Sequence, residues 1–351
     1  MPKGIGCALI IMKLFQPKRV FIEENALNYP LGIKILNEMN AANVPVKMVG
    51  SHNRITGIPG NNPTESYLEG KQTLVVGVKR DLRFESCRPS ADFEFSLATS
   101  CPGNCQYCYL QTNLGKKPYL RIYVNTEAIF DKIKEVIQTN QSKITTFEAA
   151  STSDPLAVEH LTGSLAAAIN LFGTLEFGRL RVVTKFNQVE PLLNLNHQQH
   201  TKFRFSLNTS KIINLYEHQT ASFHERIAAA QKMTEAGYPL GFIIAPLFIY
   251  NNSQDDYEEL FHELSKNLGQ TPAGLTFELI THRFTGSAKK VILERFPNTS
   301  LELDETNRRR KYGKYGLIKY LYPETEYQSL KEHMFNLIQK YFPTAKIEYF
   351  T

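Results

Sequence analysis

The chain has 351 residues, 42% of them hydrophobic, and 40 Lys and Arg against 34 Asp and Glu leave a net charge of +6. That is enough apolar material for one large domain with a core, and a charge that permits a polyanionic partner without demanding one. The most apolar runs, Leu9-Ile10-Ile11 and Gly241 to Ala245, are far too short to span a membrane, and the opening residues make a poor signal peptide, so a cytoplasmic protein with no membrane partner is expected. Five cysteines is an odd number, and three sit together, which suits metal binding in a reducing compartment better than a disulfide scaffold.

Met12 reads as the start, with residues 1–11 and Cys7 set aside as an extension. Residues 12–90 read as an irregular α+β region packed on a barrel, with one clear strand in Thr73-Leu74-Val75-Val76-Gly77-Val78. From 91 to 298 apolar runs alternate with helix-length segments. Strands are expected over 93–98, 143–149, 178–185, 202–208, 239–246 and 274–281, and helices near 126–139, 155–172, 223–236 and 255–267. Thr126-x-x-Ile129 and Ser222-x-x-Glu225 mark helix starts. Six βα units predict an α/β fold, a partial (β/α)6 parallel barrel with function at the carboxyl ends of its strands. Residues 299–351 break the rhythm: Leu301 to Glu305 and Leu317 to Tyr322 read as strand flanks of a hairpin, and a helix over 326–341 and a strand over 346–350 close the chain.

Just after the first expected strand comes Ser100-Cys101-Pro102-Gly103-Asn104-Cys105-Gln106-Tyr107-Cys108-Tyr109. A structural zinc would want four ligands, usually as two Cys-x2-Cys pairs, and the nearest histidine, His160, lies roughly fifty residues on. Thiolate ligation of an iron–sulfur cluster by Cys101, Cys105 and Cys108 uses all three and no fourth, leaving one iron open for a small molecule.

Cys-x3-Cys-x2-Cys after the first strand of a βα barrel resembles the signature of the radical S-adenosylmethionine superfamily. Cys105-Gln106-Tyr107-Cys108-Tyr109-Leu110-Gln111-Thr112 is similar, more narrowly, to the cluster loop of the spore photoproduct lyase family. So are Ser51-His52-Asn53, Phe147-Glu148-Ala149-Ala150, Val183-Thr184-Lys185-Phe186, Phe203 to Asn208, Gly237 to Phe242, His282-Arg283-Phe284-Thr285 and the terminal Ala345 to Thr351, in order along the chain. The resemblance implies a 4Fe-4S cluster whose open iron binds S-adenosylmethionine, cleavage to a 5′-deoxyadenosyl radical, and reversal of the thymine dimer 5-thyminyl-5,6-dihydrothymine in double-stranded DNA. It also implies a reductant such as flavodoxin or ferredoxin, and work in the spore core. By position it puts Ser153, Lys185, Ser206 and the backbone of Ala245 on S-adenosylmethionine, beside Tyr107, and makes Tyr107 and Tyr109 the hydrogen-atom relay.

One departure stands out. The family's pattern has a cysteine after the second strand whose thiol returns a hydrogen atom to the product radical; this chain has Ser151 in Glu148-Ala149-Ala150-Ser151-Thr152-Ser153-Asp154. A serine O–H bond is much stronger than a thiol S–H bond, so Ser151 cannot replace it. Cys87, in Phe84-Glu85-Ser86-Cys87-Arg88-Pro89-Ser90 where the family's pattern has a serine, is either a relocated donor or an incidental loop residue.

Arg308, Arg309, Arg310, Lys311, Lys314 and Lys319 interleave with Tyr312, Tyr315 and Tyr320. Such a run is either a solvated charged face or a DNA contact, and a buried reaction centre requires the lesion to leave the stack. The resemblance implies a wedge hairpin here, with Lys314 and Tyr315 at its tip and Arg283 as a further contact. Two alternatives remain: a radical S-adenosylmethionine enzyme on a small substrate, or a catalytically silent lesion-binding protein.

Overall fold

The structure, a computed structural model, describes residues 14–140, 143–149, 151–313 and 317–351. Seven strands, Phe93–Glu94, Thr145–Glu148, Gly178–Thr184, Thr201–Leu207, Leu240–Leu247, Thr276–Thr281 and Lys346–Phe350, lie side by side in chain order, every neighbouring pair parallel. They curl into a half-barrel. The first six are the strands of the expected partial barrel. The seventh, the chain's last strand, does not stand apart but extends the sheet beyond the sixth. Helices Thr126–Thr139, Ser164–Thr174, Phe223–Glu235 and Ser253–Leu268 make the crossovers. Ser222 and Glu225 form a reciprocal capping box at the third of these.

The two faces of the sheet differ in chemistry. Along Gly178–Thr184 burial alternates strictly, with Leu180 and Val182 buried against the helices. Phe147, Phe203, Phe205, Phe242 and Phe277 join them on that face, packed on Ile129, Ile133, Leu165 and Phe172. At about 1.5–3 kcal/mol for each large side chain removed from water, this layer holds the helices on the sheet. The concave face carries Glu148, Arg181, Lys202, Arg204, Glu278 and Glu348 instead. Arg204 pairs with Glu148 and, at 2.9 Å, with Glu278; Arg181 bridges Glu278 and Glu348; Lys202 reaches Glu348 at 2.8 Å. Burial works against the Arg204 charge, but Glu148 and Glu278 more than offset it and its pKa is raised.

Four expectations are corrected. The N-terminal region is not irregular: Val46–Val49, Arg19–Glu23, Thr73–Gly77 and Leu120–Tyr123 form a parallel sheet in that order, edged by antiparallel Ala98–Thr99. It draws strands from both sides of residue 90. The expected strand 93–98 is split, because Phe93–Glu94 belongs to the barrel and Ala98–Thr99 to the other sheet. The helix expected over 155–172 breaks at Gly163, whose φ is +64°, and the Glu159 carboxylate accepts the N–H groups of Leu165 and Ala166 at 2.8 and 2.9 Å, opening a new helix there. The hairpin strands are Arg309–Tyr312 and Ile318–Leu321, the latter also pairing with Phe284–Thr285. Leu301 to Glu305 is not a strand; its alternation buries Leu301 and Leu303 in a small cluster with Phe248 and Phe284, without a ladder partner.

Among the described residues no helix is long and apolar enough to cross a membrane. Arg204→Met leaves Glu148 and Glu278 without their shared guanidinium, so it is expected to cost about 3–5 kcal/mol of stability, read as a lowered denaturation midpoint in urea.

Candidate active site

The cysteine loop is fastened at both ends. Ser100, at φ +66°, donates its hydroxyl to the Pro118 carbonyl at 2.8 Å and its N–H to the Thr152 carbonyl at 2.9 Å, which ties the loop to the segment after the second barrel strand. Asn104–Cys105 pairs antiparallel with Glu217–His218, and the Gln106 N–H bonds the Tyr216 carbonyl at 2.9 Å. Cys101 and Cys108 are half-buried and Cys105 is buried; none is in a disulfide. The Gly103 N–H points at the Cys101 sulfur at 3.3 Å, and buried Lys71 holds the Cys101 carbonyl at 2.7 Å. Burial, then the Glu217 charge, pushes the Cys105 thiol up to about 12, so a thiolate here needs a compensating positive charge of the kind a metal cluster carries. Among the described residues no three His, Cys, Asp or Glu side chains converge to hold a single metal ion. A cubane needs no such convergence, since each thiolate takes a different iron.

Behind the loop, Glu217 organises a buried knot. Its carboxylate accepts from Arg226 at 2.6 Å, Lys185 at 2.8 Å and the Tyr107 hydroxyl, while Arg226 also donates to the Ser206 carbonyl at 2.9 Å. Burial opposes this charge, yet Arg226 and Lys185 hold the carboxyl down at about 2. The Lys185 ammonium spends its other donors on the Ser206 hydroxyl at 2.9 Å and the Tyr107 hydroxyl at 3.1 Å. So Tyr107, Lys185 and Ser206 meet, at the carboxyl ends of the third and fourth barrel strands.

Ser153 lies beside Ser100 in a parallel bridge, and its hydroxyl is buried with no hydrogen-bond partner. Next to it, buried Asp154 accepts from the Thr184 hydroxyl at 2.9 Å and the Lys185 N–H at 3.0 Å; burial outweighs these bonds and raises its carboxyl to about 6. The ladder between the fifth and sixth strands skips Ala245 and Pro246, leaving the Ala245 backbone out of the sheet's pairing there. These groups form a rim at the barrel's mouth, and an orphaned hydroxyl among them is what a polar ligand would satisfy.

Glu94, which no motif singled out, accepts a hydrogen bond from the Ser151 hydroxyl. Burial, then the Glu148 and Glu94 charges, pushes the Cys87 thiol up to about 12. Tyr109, 61% exposed, lies within electrostatic reach of Glu94, Cys87 and Glu148. Ser90, three residues past Cys87, bonds Glu148 at 2.9 Å and Arg204 at 2.8 Å, so the loop carrying Cys87 is pinned to the concave face.

The basic segment divides. Arg308 is not a surface contact: its side chain is 1% exposed, paired with Glu302, stacked 3.8 Å over Tyr322 and donating to the His282 carbonyl at 3.1 Å. Arg309 is partly committed, to Glu324 at 2.8 Å and the Tyr322 carbonyl at 3.1 Å. Arg283, Arg310, Lys311 and Lys319 are exposed, and Tyr312 is 70% exposed. Lys314 and Tyr315, like Cys7, lie outside the described residues.

A family model described as spore photoproduct lyase matches residues 15–351. The spore photoproduct lyase of Geobacillus sp. (strain Y412MC61) is 47% identical over 341 residues, 97% of this chain and 100% of the relative, and that of Bacillus subtilis (strain 168) is 45% identical over 338 residues, 96% and 99%. Two solved structures superpose with a TM-score of 0.95 at 47% identity, covering 97% of this chain and 100% of theirs. One is spore photoproduct lyase complexed with dinucleoside spore photoproduct; the other is a cysteine-to-alanine, serine-to-cysteine double mutant with bound AdoMet and the same dinucleoside. Matched over nearly its whole length by such a model and such relatives, the chain belongs to the spore photoproduct lyase family.

Proposed function

We propose that this protein repairs spore photoproduct in DNA, splitting it to two thymines at the mouth of the half-barrel. The observation that carries this is the full-length likeness to a structure that holds the dinucleoside lesion. Cys101, Cys105 and Cys108 would hold a 4Fe-4S cluster, which when bound supplies the electron that opens S-adenosylmethionine for hydrogen abstraction from the lesion. Ser153, Lys185, Ser206 and the Ala245 backbone would orient that cosubstrate, and the partnerless Ser153 hydroxyl is the group most in need of it.

The closing step falls to a thiol. Cys87 gives its hydrogen atom to the thymine-centred product radical: the S–H bond breaks homolytically, a C–H bond forms, and a sulfur radical remains. Tyr109 then returns a hydrogen atom to that sulfur and keeps the unpaired electron. Support comes from the surroundings of the two positions. Ser151, where the family's pattern has its donor, bonds Glu94, and the Glu94 charge also acts on the Cys87 thiol, after that of Glu148. The solved double mutant also gains a cysteine in place of a serine, while its lost cysteine is replaced by alanine and not by the serine that this chain carries. Tyr107, locked to Glu217 and Lys185, serves the framework behind the cluster, with Tyr109 nearer the thiol.

Double-stranded DNA would meet the hairpin, with Arg283, Arg309, Arg310 and Lys311 on phosphates; an electron carrier such as flavodoxin or ferredoxin would reduce the cluster.

Three measurements test this reading. Reconstituted protein, given reductant, S-adenosylmethionine and the dinucleoside lesion, is expected to yield two thymines. Cys87→Ala should keep consuming lesion while the share of clean product falls by about an order of magnitude; undiminished clean repair would remove Cys87 from the mechanism, and no S-adenosylmethionine cleavage by the parent would point to a silent lesion binder. Ser153→Ala should leave the melting temperature unchanged and weaken S-adenosylmethionine binding roughly five- to tenfold by calorimetry. Affinity for lesion-bearing duplex should fall steeply with salt, and Lys311→Ala should reduce the logarithmic slope by about one.

A further inference from the structure

The helix Pro63–Lys71, in the N-terminal region, ends against the cysteine loop. Gly70 makes the approach possible: a Cβ there would lie 2.9 Å from the backbone of Lys117 and Pro118. The Pro118 carbonyl in turn accepts the Ser100 hydroxyl at 2.8 Å, so the helix end and the start of the loop share one backbone anchor. From that helix end Lys71 reaches inward. It is 5% exposed, and its ammonium donates to the Cys101 carbonyl at 2.7 Å and lies 5.5 Å from the centre of the Tyr67 ring, one turn back. Lys71, Tyr67, Arg295 and Cys108 line one small cavity of about 10 Å³, with room for about one water and for no larger ligand.

Buried Arg204, Arg226 and Arg308 each pair with at least one carboxylate. Lys71 pairs with none among the described residues; it holds one carbonyl dipole and faces one ring. A buried charge so placed is costly unless an opposite charge arrives. The nearest source of one is the loop itself. Burial, then the Asp154 charge, pushes the Cys101 thiol up, and the Lys71 charge acts the other way. We propose that Lys71 is the counter-cation of the cysteine loop, its ammonium left without a carboxylate because the anion it balances is the thiolate-bound cluster. The proposal rests on reading Cys101, Cys105 and Cys108 as cluster ligands. Three thiolates outweigh the positive charge of an oxidised 4Fe-4S core, and an added electron increases the excess. A fixed cation beside the loop therefore favours both holding the cluster and reducing it. The N-terminal region thereby acts on the chemistry of the barrel mouth, although the three cysteines lie outside it.

The test compares the full-length parent with Lys71→Gln, which keeps a donor and loses the charge, and Lys71→Met, which loses both. Each is reconstituted with iron and sulfide and their uptake is measured. A redox titration followed by electron paramagnetic resonance then gives the ratio of reduced to oxidised cluster. At the potential that half-reduces the parent, that ratio should fall about tenfold in both variants, and iron release to a chelator should quicken several-fold. Without cluster, neither variant should melt below the parent, since each removes a buried charge that lacks a counter-charge. A parental potential in both variants overturns the proposal. So does a shift in Lys71→Met with none in Lys71→Gln, which assigns the lysine to bracing the Cys101 carbonyl. Cluster-free variants that melt well below the parent overturn it too, because the lysine is then a brace of the fold. A parent that takes up no iron and sulfide overturns the cluster reading itself, and the proposal falls with it.

Discussion

Arg204 reaches from the fourth barrel strand to Glu148 on the second and Glu278 on the sixth, and donates to Ser90 on the loop that carries Cys87. One guanidinium thus joins three strands and one loop in a space with almost no water. A buried pair of this kind contributes little net stability against an apolar alternative, but it is severe about geometry, because any strand that slips leaves a charge stranded. On the concave face of a parallel sheet, that severity is useful. The side chains above the network must keep their places with no helix packed against them, and the charged floor gives the open face a rigidity that the apolar face gets from its helices.

A second charged centre, Glu217, does the same work behind the cysteine loop. It sits on a short segment paired with Asn104–Cys105, and it binds Arg226, Lys185 and Tyr107. Two cations on one carboxylate leave a net positive wall under the loop that carries the three cysteines. It also separates two tyrosines that look equivalent along the chain. Tyr107 is bound into the wall; Tyr109, two residues on, is largely exposed. A parity of two residues across the third cysteine assigns one to framework and the other to the open side.

Periodicity made the barrel legible: strands buried on one face with apolar residues, such as Gly178–Thr184, Leu240–Leu247 and Thr276–Thr281, announce themselves within a residue or two. The first barrel strand did not, since two residues carry no period, and neither did Leu120–Tyr123, which returns to a sheet begun a hundred residues earlier. The three cysteines stood out by their spacing, whereas Ser153, Lys185 and Ser206 were singled out by the family resemblance, and Lys185 and Ser206 meet at strand ends. Glu217, Arg226 and Glu94 could not be singled out, because a lone acid or arginine reads the same whether it faces water or a buried partner. Arg308 shows the converse: within a basic run it looks like its neighbours, and only its stacking on Tyr322 and pairing with Glu302 mark it as the anchor from which the exposed hairpin projects.

Ser151 stands where the family's pattern has a cysteine, and Cys87 where it has a serine. A hydrogen donor must satisfy a distance to one carbon and an orientation of one bond, and neither condition names a particular strand. Ser151 bonds Glu94, and Glu94 is also among the charges that act on the Cys87 thiol, after Glu148. A serine at position 151 keeps a hydrogen bond to Glu94 that a smaller apolar residue would abandon, so the carboxylate at the end of the first barrel strand stays tied to the segment after the second.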